Sequence, residues 1–382
     1  MSAAQTYSGL RILDLSTNIA GPSAAMILAD LGADVVKIER PPAGDDTRSL
    51  PPRWGDEATI FLAMNRNKRS LLLDMKSAEG RAALLRLAEG ADVVIESFPP
   101  GVAAKLRLTA EDLRAANPKL IVCTISAFGD GPIGSAMPGY DALVQAVSGL
   151  MSFTGHAGDP PVRLAPSVLD FSTGMWAAIN IMAAVARRNK DGLGAALHCA
   201  LADSAFALMG HQLLGYLATG DLPEKLGSGT PSAVPYRVYA ASNGHLMIAT
   251  ASDPQYPRLM AALGLETEAR FAAMADRIAG RGEIDALVSA EILKRPVEEW
   301  LDILGAAGLS AGRVNDLGEA LETPIAKERR PLVETAGGTV VPRLPVDPEG
   351  KAVRRPPPRL GEHSREILEE AGFSPEEIER LL

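Results

Sequence analysis

The side chain best suited to covalent chemistry is Asp170, which lies in the segment 166–174 immediately before a long apolar run. The apolar run over residues 171–188 predicts a buried helix, so Asp170 falls at the N-terminus of that helix. One interpretation is structural, because an Asp commonly caps the first turn of a helix. The other is catalytic, because the positive end of the helix dipole favours the carboxylate, which is the nucleophilic form. The residue types alone leave both interpretations open.

A second candidate is a locally basic segment in an acidic chain. The 382 residues carry 38 Lys and Arg against 47 Asp and Glu, a net charge of −9. Residues 37–107 carry twelve basic and ten acidic side chains, a local net charge of +2. This segment is either a solvated face or a site for a small phosphate-bearing ligand. The acidic balance elsewhere and an aromatic content of 4% exclude a general nucleic-acid binder.

Other motifs are too incomplete to define a site. Residues 129–134 match GxGxxG, but Pro132 interrupts any helix that could start there, so no nicotinamide site is predicted. No Walker A motif is present and no histidine pair has metal-ligand spacing, so neither a tightly bound cofactor nor a metal is expected. The sequence predicts a cytoplasmic protein with free thiols and no membrane partner. It has two cysteines, no N-terminal signal pattern, and an apolar run too short to span a bilayer.

Alternating strand-like and helix-like segments surround these candidates. The predicted strands span 10–15, 34–39, 70–74, 92–96, 120–125 and 195–200. The predicted helices span 21–31, 77–89, 110–117, 171–188 and 203–218. This alternation predicts an α/β fold, with a large Rossmann-like domain built on a mostly parallel sheet.

Changes in composition divide the chain into five parts. Gly, Pro and Ser mark the linkers, and the turn Asn243–Gly244 predicts a hairpin at the start of a smaller domain. The parts are the large domain (1–220), a linker (221–235), a smaller α+β domain (236–330), a return linker (331–358) and C-terminal helices that rejoin the large domain (359–382).

Several short segments, in a fixed order, carry a resemblance that covers essentially the whole chain. They are 20–22 (AGP), 31–40 (LGADVVKIER), 44–48 (GDDTR), 67–70 (NKRS), 92–96 (DVVIE), 138–141 (PGYD) and 360–363 (LGEH). With these segments the chain resembles the family III CoA-transferases, a group that includes formyl-CoA transferase, carnitine CoA-transferase and α-methylacyl-CoA racemase.

The resemblance implies an activity and an assembly. Asp170 matches the family's catalytic aspartate, which attacks the thioester of an acyl-CoA donor and passes through an aspartyl anhydride and an aspartyl–CoA thioester. The implied partners are an acyl-CoA, a carboxylic acid acceptor such as a small dicarboxylate, and a second copy of the chain in an interlocked homodimer.

The resemblance also assigns CoA-contacting positions, most of them in the basic segment. Lys105 stands where the family often has Arg, so it would meet a phosphate as a point charge rather than a bidentate fork. Ile19 replaces a glutamine of formyl-CoA transferase, and the glycine loop of that enzyme is matched only by the shorter segment 227–230. The positions are Ile19, Ala20, Arg40, Leu73, Asp74, Met75, Lys76, Ser97, Phe98, Pro99, Lys105, Leu106, Tyr140 and Asp141.

Two alternative functions remain at this point. A racemase would need a His-Asp pair, and Tyr140–Asp141 stands at that position; tyrosine is too weak an acid to replace histidine as a base near neutral pH, so transfer is favoured. A non-catalytic acyl-CoA binder would bind ligand without exchange and would tolerate Asp170→Asn.

Overall fold

The computed structural model describes residues 5–346 and 351–382. The strands are β1 (Arg11–Asp14), β2 (Asp34–Glu39), β3 (Arg53–Trp54), β4 (Glu57–Ala58), β5 (Lys68–Leu72), β6 (Val93–Glu96), β7 (Ile121–Ser126), β8 (Ala195–Ala200), β9 (Tyr236–Ala241), β10 (Gly244–Ala249), β11 (Ser310–Arg313), β12 (Leu332–Glu334) and β13 (Val340–Pro342). The helices are α1 (Ala20–Asp30), α2 (Thr59–Met64), α3 (Ala78–Glu89), α4 (Val102–Leu106), α5 (Ala110–Ala116), α6 (Asp141–Val147), α7 (Val168–Asp191), α8 (Leu201–Leu208), α9 (Gly210–Thr219), α10 (Gln255–Ala262), α11 (Met274–Ala279), α12 (Arg281–Ile292), α13 (Val297–Ala306), α14 (Leu317–Glu322), α15 (Pro324–Arg329), α16 (Ser364–Glu370) and α17 (Pro375–Leu381).

The main sheet is fully parallel and has the order β5-β2-β1-β6-β7-β8. Within this sheet the strands therefore follow the chain order third, second, first, fourth, fifth, sixth, which is the doubly wound Rossmann order. Its central strands are apolar and almost fully buried, as expected for strands covered by helices on both faces. The predicted α/β class is confirmed.

Two predicted elements differ from the structure. The third strand of the sheet is β5, which begins two residues earlier than the predicted strand 70–74. The predicted helix 203–218 is two helices, α8 and α9, because α8 ends at Leu208, with Met209 as its C-cap, and a new helix begins at Gly210. A glycine at the junction favours such a break, since it stabilises a continuous helix poorly.

Helix α7 is longer and less completely buried than predicted. It starts at Val168 instead of Phe171 and ends at Asp191, because the next residue, Gly192, has a left-handed φ of 75° that terminates the helix. By length and composition alone α7 could cross a membrane. One of its faces packs against α1 and the sheet, as in a buried core helix, whereas Met175, Trp176 and Ile179 are exposed.

The chain forms two compact units. The large unit contains the described residues of 1–148, 164–213 and 330–382, and the small unit contains 149–163 and 214–329. The division predicted from the sequence placed 149–163 in the large domain, whereas in the structure these residues group with the small unit.

The predicted return linker, 331–358, contains regular secondary structure. It contains β12 and β13, which pair antiparallel, and its residues 347–350 lie outside the described residues. Beyond it, α16 and α17 contribute Ile367, Leu368 and Ile378 to a core cluster of the large unit.

The small unit is built around the predicted hairpin. Strands β9 and β10 pair antiparallel on either side of Asn243, with Ala241 opposite Gly244, and β11 adds a third antiparallel strand. Apolar side chains of α10, α12 and α13 form its core with this small sheet.

Candidate active site

The predicted site residues converge on the carboxyl edge of the main sheet. The loops after β1, β2, β5, β6 and β7 all leave from this edge because the strands are parallel. Helix α7 joins the adjacent parallel strands β7 and β8, so it runs back across the sheet and its N-terminus lies at the same edge. The chain order reverses between β1 and β6, and there the Thr17 backbone N–H donates to Ser97 Oγ at 3.1 Å. Ligands of doubly wound folds bind at such a reversal.

Asp170 lies within the first turn of α7 and is not its cap. The N-cap residue, Ser167, makes no side-chain capping hydrogen bond. The cap comes instead from Asp141, at the start of α6, whose Oδ2 accepts the backbone N–H of Leu169 at 2.8 Å and of Asp170 at 3.3 Å. The structural interpretation of Asp170 as an N-cap is therefore wrong, because its carboxylate does not cap the helix.

Asp141 is itself held in place from two directions. Its Oδ1 accepts a hydrogen bond from the fully buried Gln145 side chain at 2.6 Å, and Gln145 Oε1 accepts the Leu164 N–H at 2.9 Å. Asp141 is 4% exposed, so its oxygens are occupied by protein donors. The racemase alternative would require Asp141 to move a proton on a substrate, and this arrangement leaves Asp141 poorly placed to do so.

The protonation of Asp170 differs from the expectation. Burial, and then the negative charge of Asp141, raise the pKa of Asp170 to about 7. The helix N-terminus favours the carboxylate, but burial and a neighbouring acid outweigh that effect. A pKa near neutrality gives a carboxylate that is more basic, and hence more nucleophilic, than an ordinary Asp.

Close packing between α7 and α1 determines what Asp170 faces. A Cβ added at Gly174 would lie 2.6 Å from the Ala20 carbonyl oxygen and closer still to Ser23 Oγ, so only glycine permits this approach. Asp170 is four residues before Gly174 and lies on the same helical face, one turn nearer the N-terminus. Since both helices begin at the carboxyl edge, Asp170 lies on the side of α7 that is turned toward the start of α1.

That segment presents unused backbone donors. The N-cap position of α1, Ile19, makes no side-chain cap, and the N–H groups of Ala20 and Gly21 have no acceptor among the residues that the structure describes. Two free N–H groups at a helix start can stabilise a negatively charged oxygen. The structure thus brings a carboxylate and two donors to the same end of a helix pair.

The loop before α1 is fixed by a buried cation. Lys37 Nζ donates to the Ser16 carbonyl at 2.9 Å and pairs with Asp45 at 2.8 Å. Asp45 Oδ1 in turn accepts the Asn18 N–H at 3.3 Å. Burial opposes the charge of Lys37, but the charges of Asp14 and Asp45 hold its pKa above the ordinary value. Residues 16–18 are therefore tied to strand β2 and to the loop that follows it.

The predicted CoA positions occupy this edge with different exposures. Arg40, Lys76 and Lys105 are exposed, and Arg40 forms an ion pair with Asp46. The Leu73 side chain is 1% exposed and belongs to the core, so it can offer a ligand only its backbone. The half-buried members of the set that pack on the core are Met75, Phe98 and Leu106.

These positions are spread along the edge. Strands β5 and β7 are separated by three intervening strands, a span of roughly 19 Å at the usual strand spacing. Any single ligand that touches all of them must be extended.

A row of polar residues that the sequence did not reveal lies next to the predicted CoA loop. Glu96 ends β6, is 4% exposed, and its Oε2 accepts the Phe98 N–H at 2.8 Å. In the strand register Glu96 is paired with Thr124, and Thr124 with His198. Burial raises the pKa of Glu96, although hydrogen bonds from Thr124 and Phe98 act against it. The signal for this row in the sequence was a single acidic residue, Glu96, at the C-terminal end of an apolar strand.

A model of the family described as CoA-transferase family III matches residues 7–364. The chain is 37% identical to a succinate–glutarate CoA-transferase of Agrobacterium fabrum, over 95% of each chain. It is 35% identical to an acetyl-CoA:oxalate CoA-transferase of Acetobacter aceti, over 90% of this chain and 89% of the other. The crystal structure of a CaiB/BaiF family protein from Brucella suis superposes with a TM-score of 0.86 at 34% identity, covering 95% of this chain and 98% of that one.

Proposed function

The chain belongs to CoA-transferase family III and moves CoA from an acyl-CoA thioester to a carboxylic acid; on this premise we propose that Asp170 is the covalent nucleophile. The observation that carries the proposal is the position of its carboxylate. Asp170 lies within the first turn of α7, whose N–H groups are capped by Asp141. It also lies one turn before Gly174, on the face of α7 that packs against the start of α1, where the N–H groups of Ala20 and Gly21 have no acceptor among the described residues.

The proposed reaction trades one thioester for another without ATP. An Asp170 carboxylate oxygen attacks the thioester carbonyl, the C–S bond breaks, and an aspartyl anhydride and CoA thiolate form. The thiolate attacks the aspartyl carbonyl and releases the donor acid, leaving an aspartyl–CoA thioester. The acceptor carboxylate attacks this thioester, the C–S bond breaks again, and a second anhydride and CoA thiolate form. CoA thiolate then attacks the acceptor carbonyl, which yields the new acyl-CoA and restores Asp170.

The surrounding groups support each of these steps. A carboxylate is a weak nucleophile toward a thioester, and a pKa of about 7 strengthens it while leaving a large part ionised near neutral pH. The tetrahedral intermediate carries negative charge, which the N–H groups of Ala20 and Gly21 can stabilise. Asp141 contributes as the group that fixes the first turn of α7 and raises the pKa of Asp170.

We place CoA along the carboxyl edge of the main sheet, at the positions that the resemblance assigns. The exposed cations Arg40, Lys76 and Lys105 suit its phosphates, and half-buried Met75 and Phe98 suit the adenine. The extended form of the ligand suits the spread of these positions from β5 toward β7 and Asp170.

For the two acids we propose dicarboxylates. The relatives described above are named for succinate and glutarate and for oxalate. Succinyl-CoA is therefore the first donor to test, with glutarate and oxalate as acceptors. Because Ile19 replaces a glutamine of formyl-CoA transferase, we expect glutarate to be preferred over oxalate.

We propose that the enzyme is a cytoplasmic homodimer. Helices α6, α7 and α8 pack on one another, and each exposes large apolar side chains that a monomer would leave in water. The exposed residues are Leu143, Val147, Met175, Trp176, Ile179, Phe206 and Leu208. Cys123 and Cys199 are buried free thiols, which suits a reducing compartment. Light scattering on purified protein should give the mass of two chains.

The experiment that tests the nucleophile compares Asp170→Asn with Asp191→Asn, a change at the exposed far end of the same helix. We expect Asp170→Asn to bind CoA but to lose transfer from succinyl-CoA by at least about a thousandfold, because no carboxylate can be acylated. Hydroxylamine added during turnover should leave a hydroxamate on Asp170 of the wild type alone. Transfer by Asp170→Asn at the wild-type rate would refute the proposal, and Asp191→Asn controls for the loss of any acid on α7.

A further inference from the structure

A cavity of about 440 Å³ opens at the amino edge of the main sheet, opposite the edge that carries Asp170. Its walls come from the starts of β1 and β2, from β5, and from the C-terminal segment that returns to the large unit. The volume lies within the range of small-molecule sites. The strands are four to six residues long, so roughly 13–20 Å separates the two edges. The catalytic proposal does not use this cavity.

The charges around the cavity are not balanced. Four arginines and three acids line it. Arg69 pairs with all three acids, through Nη1 with Glu366 at 3.0 Å and Glu370 at 2.8 Å, and through Nη2 with Asp34 at 2.7 Å. The other three guanidinium groups have no carboxylate partner among the described residues, and they belong to Arg11, Arg354 and Arg355.

Two of these arginines are presented by a rigid segment. Asn67 is 5% exposed, and its Oδ1 accepts the backbone N–H of Arg354 at 2.6 Å and of Arg355 at 2.9 Å. Its Nδ2 donates to Asp30 at 2.7 Å and to the Ala352 carbonyl at 2.8 Å. One side chain therefore anchors both arginines to the end of α1 through their backbone, leaving their side chains to the cavity.

The cavity carries more positive than negative charge. Arg354 Nη2 donates to the Ala29 carbonyl at 2.8 Å, and its guanidinium group forms no ion pair, at 4 Å or less, with a carboxylate of the described residues. Burial lowers the pKa of Arg354, and the positive charge of Arg355 adds to that effect, although the charges of Asp30 and Asp34 act against it. A bound anion would relieve this unfavourable environment.

We propose that the cavity is a second binding site, for a small anion that bears two or more phosphate groups, held by Arg11, Arg354 and Arg355. Guanidinium forks match phosphate oxygens bidentately, and three unpaired cations suit a multiply charged ligand better than a single carboxylate. Because the site lies at the opposite edge from Asp170, its occupancy does not require an acyl-CoA on the enzyme.

The test is calorimetric titration of the full chain with inorganic pyrophosphate. We expect binding that weakens with added salt, and a loss of at least about tenfold in affinity in Arg354→Gln and Arg355→Gln. Arg359→Gln, which removes an exposed arginine of the same segment outside the cavity, should bind as the wild type does. Retained transfer activity in both cavity variants would establish that they fold.

Three results would overturn the proposal. The first is no binding of pyrophosphate, and the second is binding that neither Arg354→Gln nor Arg355→Gln weakens. In the second case, competition by CoA would assign the phosphate to the CoA site instead. The third is tighter binding of succinate than of pyrophosphate, because it would identify a carboxylate site. If Asp170→Asn binds pyrophosphate as tightly as the wild type does, the result for this cavity is independent of whether the catalytic proposal holds.

Discussion

The Asp141 carboxylate accepts the backbone N–H of Asp170 at 3.3 Å, so one acid caps the helix turn that carries the other. The same contact affects both the stability of the turn and the pKa of Asp170. It stabilises the turn, because it satisfies a helix N–H that would otherwise have no partner. It also brings a negative charge close to Asp170 and raises the pKa of that carboxyl. Asp141 thus fixes the helix turn that carries Asp170 and, together with burial, raises the pKa of its carboxyl.

The pH dependence of transfer should report Asp170. Its pKa of about 7 means that the nucleophilic carboxylate is present above this pH and is lost as the pH falls through it. We expect kcat/KM for acyl-CoA to fall below about pH 7. In Asp141→Asn the amide oxygen can still cap α7, but the charge is gone, so the acidic limb should move to lower pH. An unshifted limb would show that Asp141 does not tune the nucleophile.

Replacing Asp170 with Asn should stabilise the protein at alkaline pH. A carboxyl whose pKa is higher in the folded than in the unfolded state loses stabilisation as pH rises from the unfolded value, near 4, through 7. Because Asp170 is partly exposed, we expect Asp170→Asn to raise the free energy of unfolding by about 1–2 kcal/mol near pH 8 and to leave it nearly unchanged near pH 4. Denaturant titrations at both pH values measure this, and equal effects at the two would contradict it.

Gly174 should be essential to the alignment of Asp170. In Gly174→Ala the new Cβ would press on the Ala20 carbonyl, a backbone atom that cannot rotate away, so α7 must shift. We expect a destabilisation of about 1–3 kcal/mol and a loss of kcat of about a hundredfold. Gly305→Ala in α13 is the matched control, since its Cβ would meet open space. A Gly174→Ala enzyme with wild-type kcat would mean that the α1–α7 spacing does not matter for transfer.

Glu96 should act on CoA binding rather than on the chemical step. Its carboxyl accepts the Phe98 N–H and so orders the loop that carries Ser97 and Phe98. Glu96→Ala leaves that N–H without its partner, and we expect KM for acyl-CoA to rise by about tenfold with little change in kcat. Glu96→Gln keeps an acceptor oxygen and should restore most of the affinity. If Glu96→Ala and Glu96→Gln behave alike, Glu96 does not position this loop.

Local patterns identified many of the elements because each depends on neighbouring residues. β2 was predicted with its observed bounds from one β-branched run, and Asn243–Gly244 marked the hairpin of β9 and β10. The start of α7 was predicted three residues late, because its first turn is capped by Asp141 from another helix. The apolar composition of α7 also predicted burial on all sides, whereas Met175 and Trp176 are exposed.

By itself, the sequence determined the α/β alternation, the order of the family's segments and the choice of Asp170 as the residue to examine, since all of these are written in residue types and short spacings. Only the tertiary structure decided that Asp141 and Gly174 set the position and basicity of Asp170, that Glu96 lies beneath the predicted CoA loop, and that unpaired arginines gather at the opposite edge. The physical reason is that pKa, capping and charge balance depend on groups brought together through space, and a linear pattern does not record which distant groups will meet.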